Sequence, residues 1–238
     1  MNVLAIDTSG PVCGVCILAD GAVRYEAAAL NKLTHSTNLM PMVDTAFAAA
    51  GMTLADMDRI AVVTGPGSFT GVRIGVAAIK GFAFGKNKIC VGTSTLDALA
   101  RNAMGLSGNF LAVPVMDARR SQLYNAIFEY NDGELTRLCE DRLISAAELE
   151  AELAKADKPI YFFGDGYAIA DKLNLPQKAS TPKILIYQNA AAVAASALHK
   201  YETSEAKEDF TDLALSPKYL RASQAEREEE RKRKEQIK

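Results

Sequence analysis

The chain of 238 residues has no tryptophan, two histidines and four cysteines, and its 27 lysines and arginines are balanced by 29 aspartates and glutamates. Each shortage excludes something. A near-neutral charge offers no bulk electrostatic reason to hold nucleic acid, so any RNA contact has to be local or shared with a partner. His35 and His199 lie too far apart for an H-x-x-x-H zinc pair and are too few for a multi-histidine metal centre. No run reaches the roughly 18 apolar residues of a membrane span, and the N-terminus lacks the basic leader and apolar core of a signal peptide. A soluble, cytoplasmic protein without membrane association is the expectation. Cys13 and Cys16 form a C-x-x-C inside the alternating run Val12 to Leu18, where positions three apart on a strand point to opposite faces. With Cys90 and Cys139 standing alone, all four are expected to be buried, reduced thiols.

What the sequence does contain is a succession of short apolar runs and helical patterns. Val3 to Ile6 ends on Asp7-Thr-Ser-Gly10, a strand followed by a tight turn. Strands at 12 to 18 and 21 to 29 flank Asp20-Gly21, a hairpin signal. A helix is predicted from Asn38 to Ala50 with Pro41 in its first turn and Gly51 as its stop. Arg59 to Thr64 is a further buried strand running into Gly65-Pro-Gly-Ser-Phe-Thr-Gly71, after which a second long helix continues to about Gly85. Ile89 to Val91 is another strand, followed by a helix capped by Ser94 or Thr95. The plan then repeats at an offset of 110, which sets Leu4 to Asp7 beside Pro114 to Asp117. Strands follow at 122 to 130 and 134 to 140, then a helix at 145 to 155, the strand Ile160 to Phe163, the loop Gly164-Asp-Gly166, and helices near 167 to 174 and 188 to 200. Two similar α/β domains are expected, at 1–105 and 106–222. A charged, mobile tail at 223–238 is expected to follow them.

Three constellations carry chemistry. The loop GPGSFTGVRIG (65–75) joins a strand to a helix N-terminus and would offer backbone N–H groups to an anion. It lacks the G-K-[ST] of a Walker loop and the glycine spacing of a dinucleotide fingerprint. Asp7, Thr8 and Ser9, with Gly67 and Ser68 of that loop, are therefore the candidate phosphate or nucleotide contacts. Asp117-Ala-Arg-Arg120 repeats the strand-ending aspartate but has arginines where a backbone cradle would need glycine. No serine has an evident histidine base, so a catalytic nucleophile is not expected. The third feature is helical. Gly71, Gly75 and Ala78 form a stripe of small residues that would let another helix approach closely, with Val72, Val76 and Ile79 beside it. The preceding helix has Leu39, Met42, Val43 and Ala46 on more than one apolar face. These residues, with Phe69, are the candidate partner interface; burial in the chain's own core is the competing account.

AIDTS at the start, THSTNLMPMVD (34–44), AVVTGPGSFTGVRIGVA (61–77), VPVMDAR followed by Tyr124, GDG (164–166) and SPKYLR (216–221) together closely resemble the TsaB (YeaZ) family, over about residues 1 to 221. The resemblance implies two duplicated actin-like ATPase domains of the sugar-kinase and heat-shock ATPase type. It implies a non-catalytic subunit required for threonylcarbamoyladenosine beside the tRNA anticodon. Such a subunit pairs with a catalytic paralogue, TsaD, supports docking of the ATPase TsaE, and meets tRNA through the complex. The implied partner face is the bundle of the first two long helices, which would self-pair into a homodimer when the paralogue is absent. Charging it, as in Val76→Glu or Met42→Glu, is then expected to abolish the heterodimer and leave the monomer folded. No metal and no cofactor of its own is implied, with ATP or ADP a candidate at the subunit junction. The paralogue's metal histidines correspond approximately to Thr93 and Asp97 here, and His35 is expected to act in helix-end packing or capping. The alternatives are a nucleotide-dependent phosphotransferase of the sugar-kinase type and a peptidase.

Overall fold

The computed structural model describes residues 1–221, and the stretch expected to form a charged tail, 223–238, lies outside the described residues. The first half contributes strands β1 (Asn2–Asp7), β2 (Cys13–Ala19), β3 (Ala22–Ala29), β4 (Arg59–Val63) and β5 (Ile89–Thr93), with helices α1 (His35–Ala50), α2 (Phe69–Ala83) and α3 (Thr95–Ala100). The second half contributes β6 (Asn109–Asp117), β7 (Gln122–Asn125), β8 (Phe128–Asn131), β9 (Glu134–Arg137), β10 (Arg142–Ser145) and β11 (Ile160–Phe163). Its helices are α4 (Ala146–Leu153), α5 (Tyr167–Ala170) and α6 (Ala190–Thr203).

The first sheet has the order β3-β2-β1-β4-β5, with β1 antiparallel to β2 and parallel to β4. The hairpin at Asp20-Gly21 sets the antiparallel half, while the parallel half is built by strand-helix-strand crossovers. The second sheet has the order β10-β7-β6-β8-β9, and β11 pairs parallel with β6 as β4 does with β1. Aspartates end both leading strands, Asp7 and Asp117, each followed by an antiparallel partner. This is the actin-like ATPase arrangement, written twice. The second copy is less regular. The strand expected at 122 to 130 is broken into β7 and β8, which follow one edge of β6 in a single antiparallel register while β11 takes the other edge, and Asn125 fills the break by donating its amide to the Pro114 and Ala126 carbonyls.

Helix α1 starts at His35, three residues earlier than the sequence pattern predicts, so Pro41 lies inside the helix rather than in its first turn. The missing N–H leaves the Thr37 carbonyl without its helical donor on an exposed turn, where solvent can reach it. Gly51 closes the helix in the left-handed conformation, as predicted. Cys13 and Cys16 are buried on opposite faces of β2, Cys13 among the residues under α1 and α2 and Cys16 on the other side. Cys139 departs from expectation in being only half-buried.

Leu4, Ile6, Val15, Ile60 and Val62 of the first sheet pack beneath α1 and α2. Val3, Ala5, Ala61, Val63 and Val91 face the other way and are covered by Ala190, Val193, Ala194 and Ala197 of α6. Thus a helix from the second half of the chain supplies one entire face of the first sheet. A fragment ending at Gly105 leaves that apolar face in water. It is expected to aggregate or to unfold without a cooperative transition, whereas the full chain melts cooperatively; size-exclusion chromatography and thermal circular dichroism check this.

Candidate functional site

The Asp7-to-Gly10 hairpin and the 65–71 loop meet face to face, and the meeting is tight. A Cβ on Gly67 would lie 2.5 Å from the Ser9 carbonyl, and one on Gly71 would run into the Thr8 carbonyl. Thr8 donates its hydroxyl to the Gly71 carbonyl at 2.7 Å, and the Ser68 N–H donates to the Ser9 carbonyl at 2.7 Å. Asp7 accepts both the Ser9 N–H at 2.7 Å and the Ser9 hydroxyl at 2.6 Å. Burial pushes the Asp7 carboxyl above its usual range, against these hydrogen bonds. Ser68 spends its side-chain oxygen as the N-cap of α2, accepting from Gly71 N–H.

The expected phosphate contacts are therefore corrected. Asp7, Thr8 and Ser9 are buried, Asp7 Oδ1, Thr8 Oγ1 and Ser9 Oγ are bonded within the chain, and Gly67 and Ser68 pack on Ser9. Glycine serves here for backbone-to-backbone approach and leaves no open cradle. The residues do not fit a nucleotide's phosphates at this hairpin.

The expected partner face is corrected too. Leu39, Val43, Ala46, Val72, Val76 and Ile79 are buried against the sheet, as are Gly71 and Gly75. The small-residue stripe accommodates the Thr8 side chain and Val62 rather than another helix. Met42 and Phe69 are half-buried. The sequence periodicity identified the apolar stripe, and the sheet consumes it. What the two helices present outward includes Met40, 43% exposed, and, just past the end of α2, Phe84, 80% exposed.

The segment 215–221 carries the late SPKYLR run across both halves of the fold. Leu215 is buried with the α1 and α2 core. The Lys218 N–H donates to the Thr64 carbonyl at 2.7 Å, and Gly65, at φ 117°, has no room for a side chain beside the Lys218 carbonyl. The Tyr219 ring stacks on Phe69 with centroids 4.5 Å apart, the Arg73 guanidinium lies 3.9 Å over Phe69, and Arg73 Nε donates to Tyr219 Oη at 2.8 Å. Arg221 Nη1 then donates to the Ala118 carbonyl in the second half at 2.8 Å. Sequence separation hid this strap; its aromatic, proline and basic residues were visible, their contacts were not.

Thr93 and Asp97 line a polar cavity of about 290 Å³ with Ser94, Arg137, Asp141 and Lys200. Asp97 pairs with Arg101 at 3.1 Å and with Arg137 at 3.9 Å, and accepts from the Ser196 hydroxyl. Burial lowers the Lys200 ammonium, and the nearby Lys218 lowers it further. At the other end of α1, His35 Nε2 bonds the Gly10 carbonyl at 2.8 Å, pinning the start of α1 to the first hairpin. That is the helix-end packing the sequence suggests for it.

The family described as TsaD, tRNA N6-adenosine threonylcarbamoyltransferase, matches residues 29–232. The protein named tRNA threonylcarbamoyladenosine biosynthesis protein TsaB of Bacillus subtilis is 35% identical over 164 residues, 69% of this chain and 71% of that one. The chain belongs to the TsaB family. Its Escherichia coli namesake is 35% identical over 133 residues, which span 56% of this chain and 57% of the relative. A solved Pseudomonas aeruginosa protein, described as similar to peptidase YeaZ, superposes with a TM-score of 0.75 at 26% identity, covering 92% of this chain and 99% of that one.

Two outcomes follow for this TsaB family member. Val76→Glu is expected to abolish cooperative folding rather than association alone, because a single buried carboxylate without a partner costs several kcal/mol; a thermal melt decides it. Burial raises the Asp165 carboxyl, in the Gly164-to-Gly166 loop, to about 6, against the Asp117 N–H it accepts and with the Asp117 charge adding to the rise. A raised carboxyl favours the fold only while protonated, so its contribution is complete below about pH 4 and is lost as pH climbs through 6. Denaturant midpoints from pH 4 to 7 are expected to fall for the native chain. Asp165→Asn should flatten that fall, by about 3 kcal/mol at most.

Proposed function

We propose that the chain is a non-catalytic subunit required for forming threonylcarbamoyladenosine on tRNA. It dimerises with a TsaD-like paralogue, supports docking of a TsaE-like ATPase, and has no cofactor of its own. Membership of the TsaB family supports the pathway, since the relatives carry that biosynthesis in their names. The observation that carries the non-catalytic part is the closed first hairpin: Asp7, Thr8 and Ser9 are buried under the 65–71 loop, which approaches their backbone too closely for any side chain at Gly67 or Gly71. Asp97, standing near the position the resemblance assigns to a metal ligand, is held in ion pairs with Arg101 and Arg137.

The dimer face is the outward surface of α1 and α2, around Met40 and Phe84. A phenylalanine 80% exposed beside a half-buried Phe82 is surface that a folded monomer gains nothing by showing. ATP or ADP, where it takes part, is held at the junction with the paralogue.

The purified chain alone is expected to transfer no threonylcarbamoyl group to tRNA, and the mixture with the paralogue and ATPase to do so. Transfer by the lone chain, measured by nucleoside mass spectrometry, would overturn the reading. Phe84→Glu combined with Met40→Glu is expected to leave the melting temperature within a few degrees and weaken the heterodimer at least tenfold by pull-down and sedimentation; an unchanged complex sinks this interface.

A further inference from the structure

The tip of the β6–β7 hairpin holds three consecutive non-glycine residues in the left-handed region, Arg119 at φ 66°, Arg120 at 56° and Ser121 at 57°. Each is a conformation that costs a bulky residue free energy and persists only where neighbours enforce it. The enforcement is visible. Asp117 accepts the Arg119 N–H at 2.7 Å, the Arg119 carbonyl accepts from Gln122, the Ser121 carbonyl accepts from Ala146, and Arg221 clamps the Ala118 carbonyl. The result is that Arg119, its side chain 85% exposed, and Arg120 stand out into water. The backbone N–H groups of Arg120 and Ser121 donate to no protein acceptor among the described residues.

The strap brings more cations to the same place. Arg221, on Ala118, is two residues from Tyr219, a residue 40% exposed whose ring is stacked on Phe69 with Arg73 over Phe69; Lys218, also exposed, precedes it. Two carboxylates stand nearby: Asp117, paired with Arg119 at 3.2 Å, and Asp165, which accepts from the Asp117 N–H. In a chain of net charge -2, this is a local basic surface with an aromatic platform at its centre.

We propose that this surface, from the Arg119-Arg120 tip along the strap to Arg73 and Tyr219, grips the sugar-phosphate backbone of tRNA when the chain is assembled with its paralogue. Cations held at fixed positions neutralise phosphates and release counterions, and an exposed ring stacks an unpaired base; the combination is the general signature of RNA contact. The inference rests on the tRNA-modification reading above and adds that this subunit touches the RNA itself.

The test uses the assembled complex with tRNA, by filter binding across a salt series. Arg119→Asn with Arg120→Asn removes both charges while keeping residues that tolerate the left-handed backbone. The Kd for tRNA is expected to rise about tenfold at 100 mM salt, and the slope of log K against log salt to shrink by about 1 to 2. Tyr219→Ala should weaken binding by a similar factor and Tyr219→Phe restore it. Lys172→Asn, elsewhere on the surface, should change little. Unaltered affinity and slope in the arginine double variant, with the heterodimer intact, overturn the proposal and leave the tRNA-modification reading standing. Loss of heterodimer in that variant also overturns it, since the surface then serves a protein partner. A wild-type complex that neither binds nor modifies tRNA overturns both.

Discussion

The close approach of two backbones, the 65–71 loop on the Asp7-to-Gly10 hairpin, is the constraint on which the rest of the molecule depends. It is possible only without side chains at Gly67 and Gly71, and it fixes where α2 begins. From that start, α2 lays Val72, Val76 and Ile79 on the first sheet, and α1 follows because His35 is hydrogen-bonded to Gly10 of the same hairpin. The strap depends on it as well. Lys218 reaches the loop at Thr64 and Gly65, and Phe69, the first residue of α2, supplies the face on which Tyr219 stacks. A side chain at any of these glycines would cost more than its own clash, since it would shift a helix, a hairpin and a strap together.

Much of this was legible in the sequence, and the limits have physical causes. Strand ends marked by Asp7 and Asp117, the Asp20-Gly21 turn and the Gly51 stop are local signals, each carried by a residue whose own backbone preference decides the outcome. The repeat at an offset of 110 gave the doubled architecture because sheet order follows from which strands are joined by hairpins and which by helices. The start of α1 is less legible, because a proline reads as a first-turn residue whereas an exposed carbonyl can do without its helical donor. The candidate site was less legible. Periodicity shows that Leu39, Val43, Val72 and Val76 must be covered; it does not show by what, and the sheet of the same chain reaches them first. A stripe of glycines is equally silent about whether a helix or a strand-ending hairpin will fill it. Contacts such as Arg73 to Tyr219 join residues 146 positions apart, a separation no local pattern encodes.

The two halves also show how one motif diverges under different packing. In the first copy the strand-ending aspartate is buried, and Ser9 donates to it twice. In the second, Asp117 is only half-buried, binds the Arg119 N–H and guanidinium, and shares its surroundings with Asp165. The difference lies in what each turn faces. A glycine loop presses on the first turn, with His35 and Gln188 against its Gly10, while the second faces solvent and is held from behind by Ala146 and Arg221.

That asymmetry bears on what each of the two hairpins can meet. A phosphate site needs backbone donors that are unpaired, reachable and backed by a cation or a helix end. The first hairpin kept the backbone geometry and lost reach, because its donors and acceptors now stitch the sheet to α2. The second kept reach but carries arginines, which suit an extended polyanion approaching from outside better than a small ligand enclosed within a turn. Closing the first hairpin ties it to α1 and α2, and the open second hairpin exposes charge where the strap crosses between halves. A hairpin closed by a glycine loop on one side and an accessible cationic edge on the other thus both come from the same repeated turn.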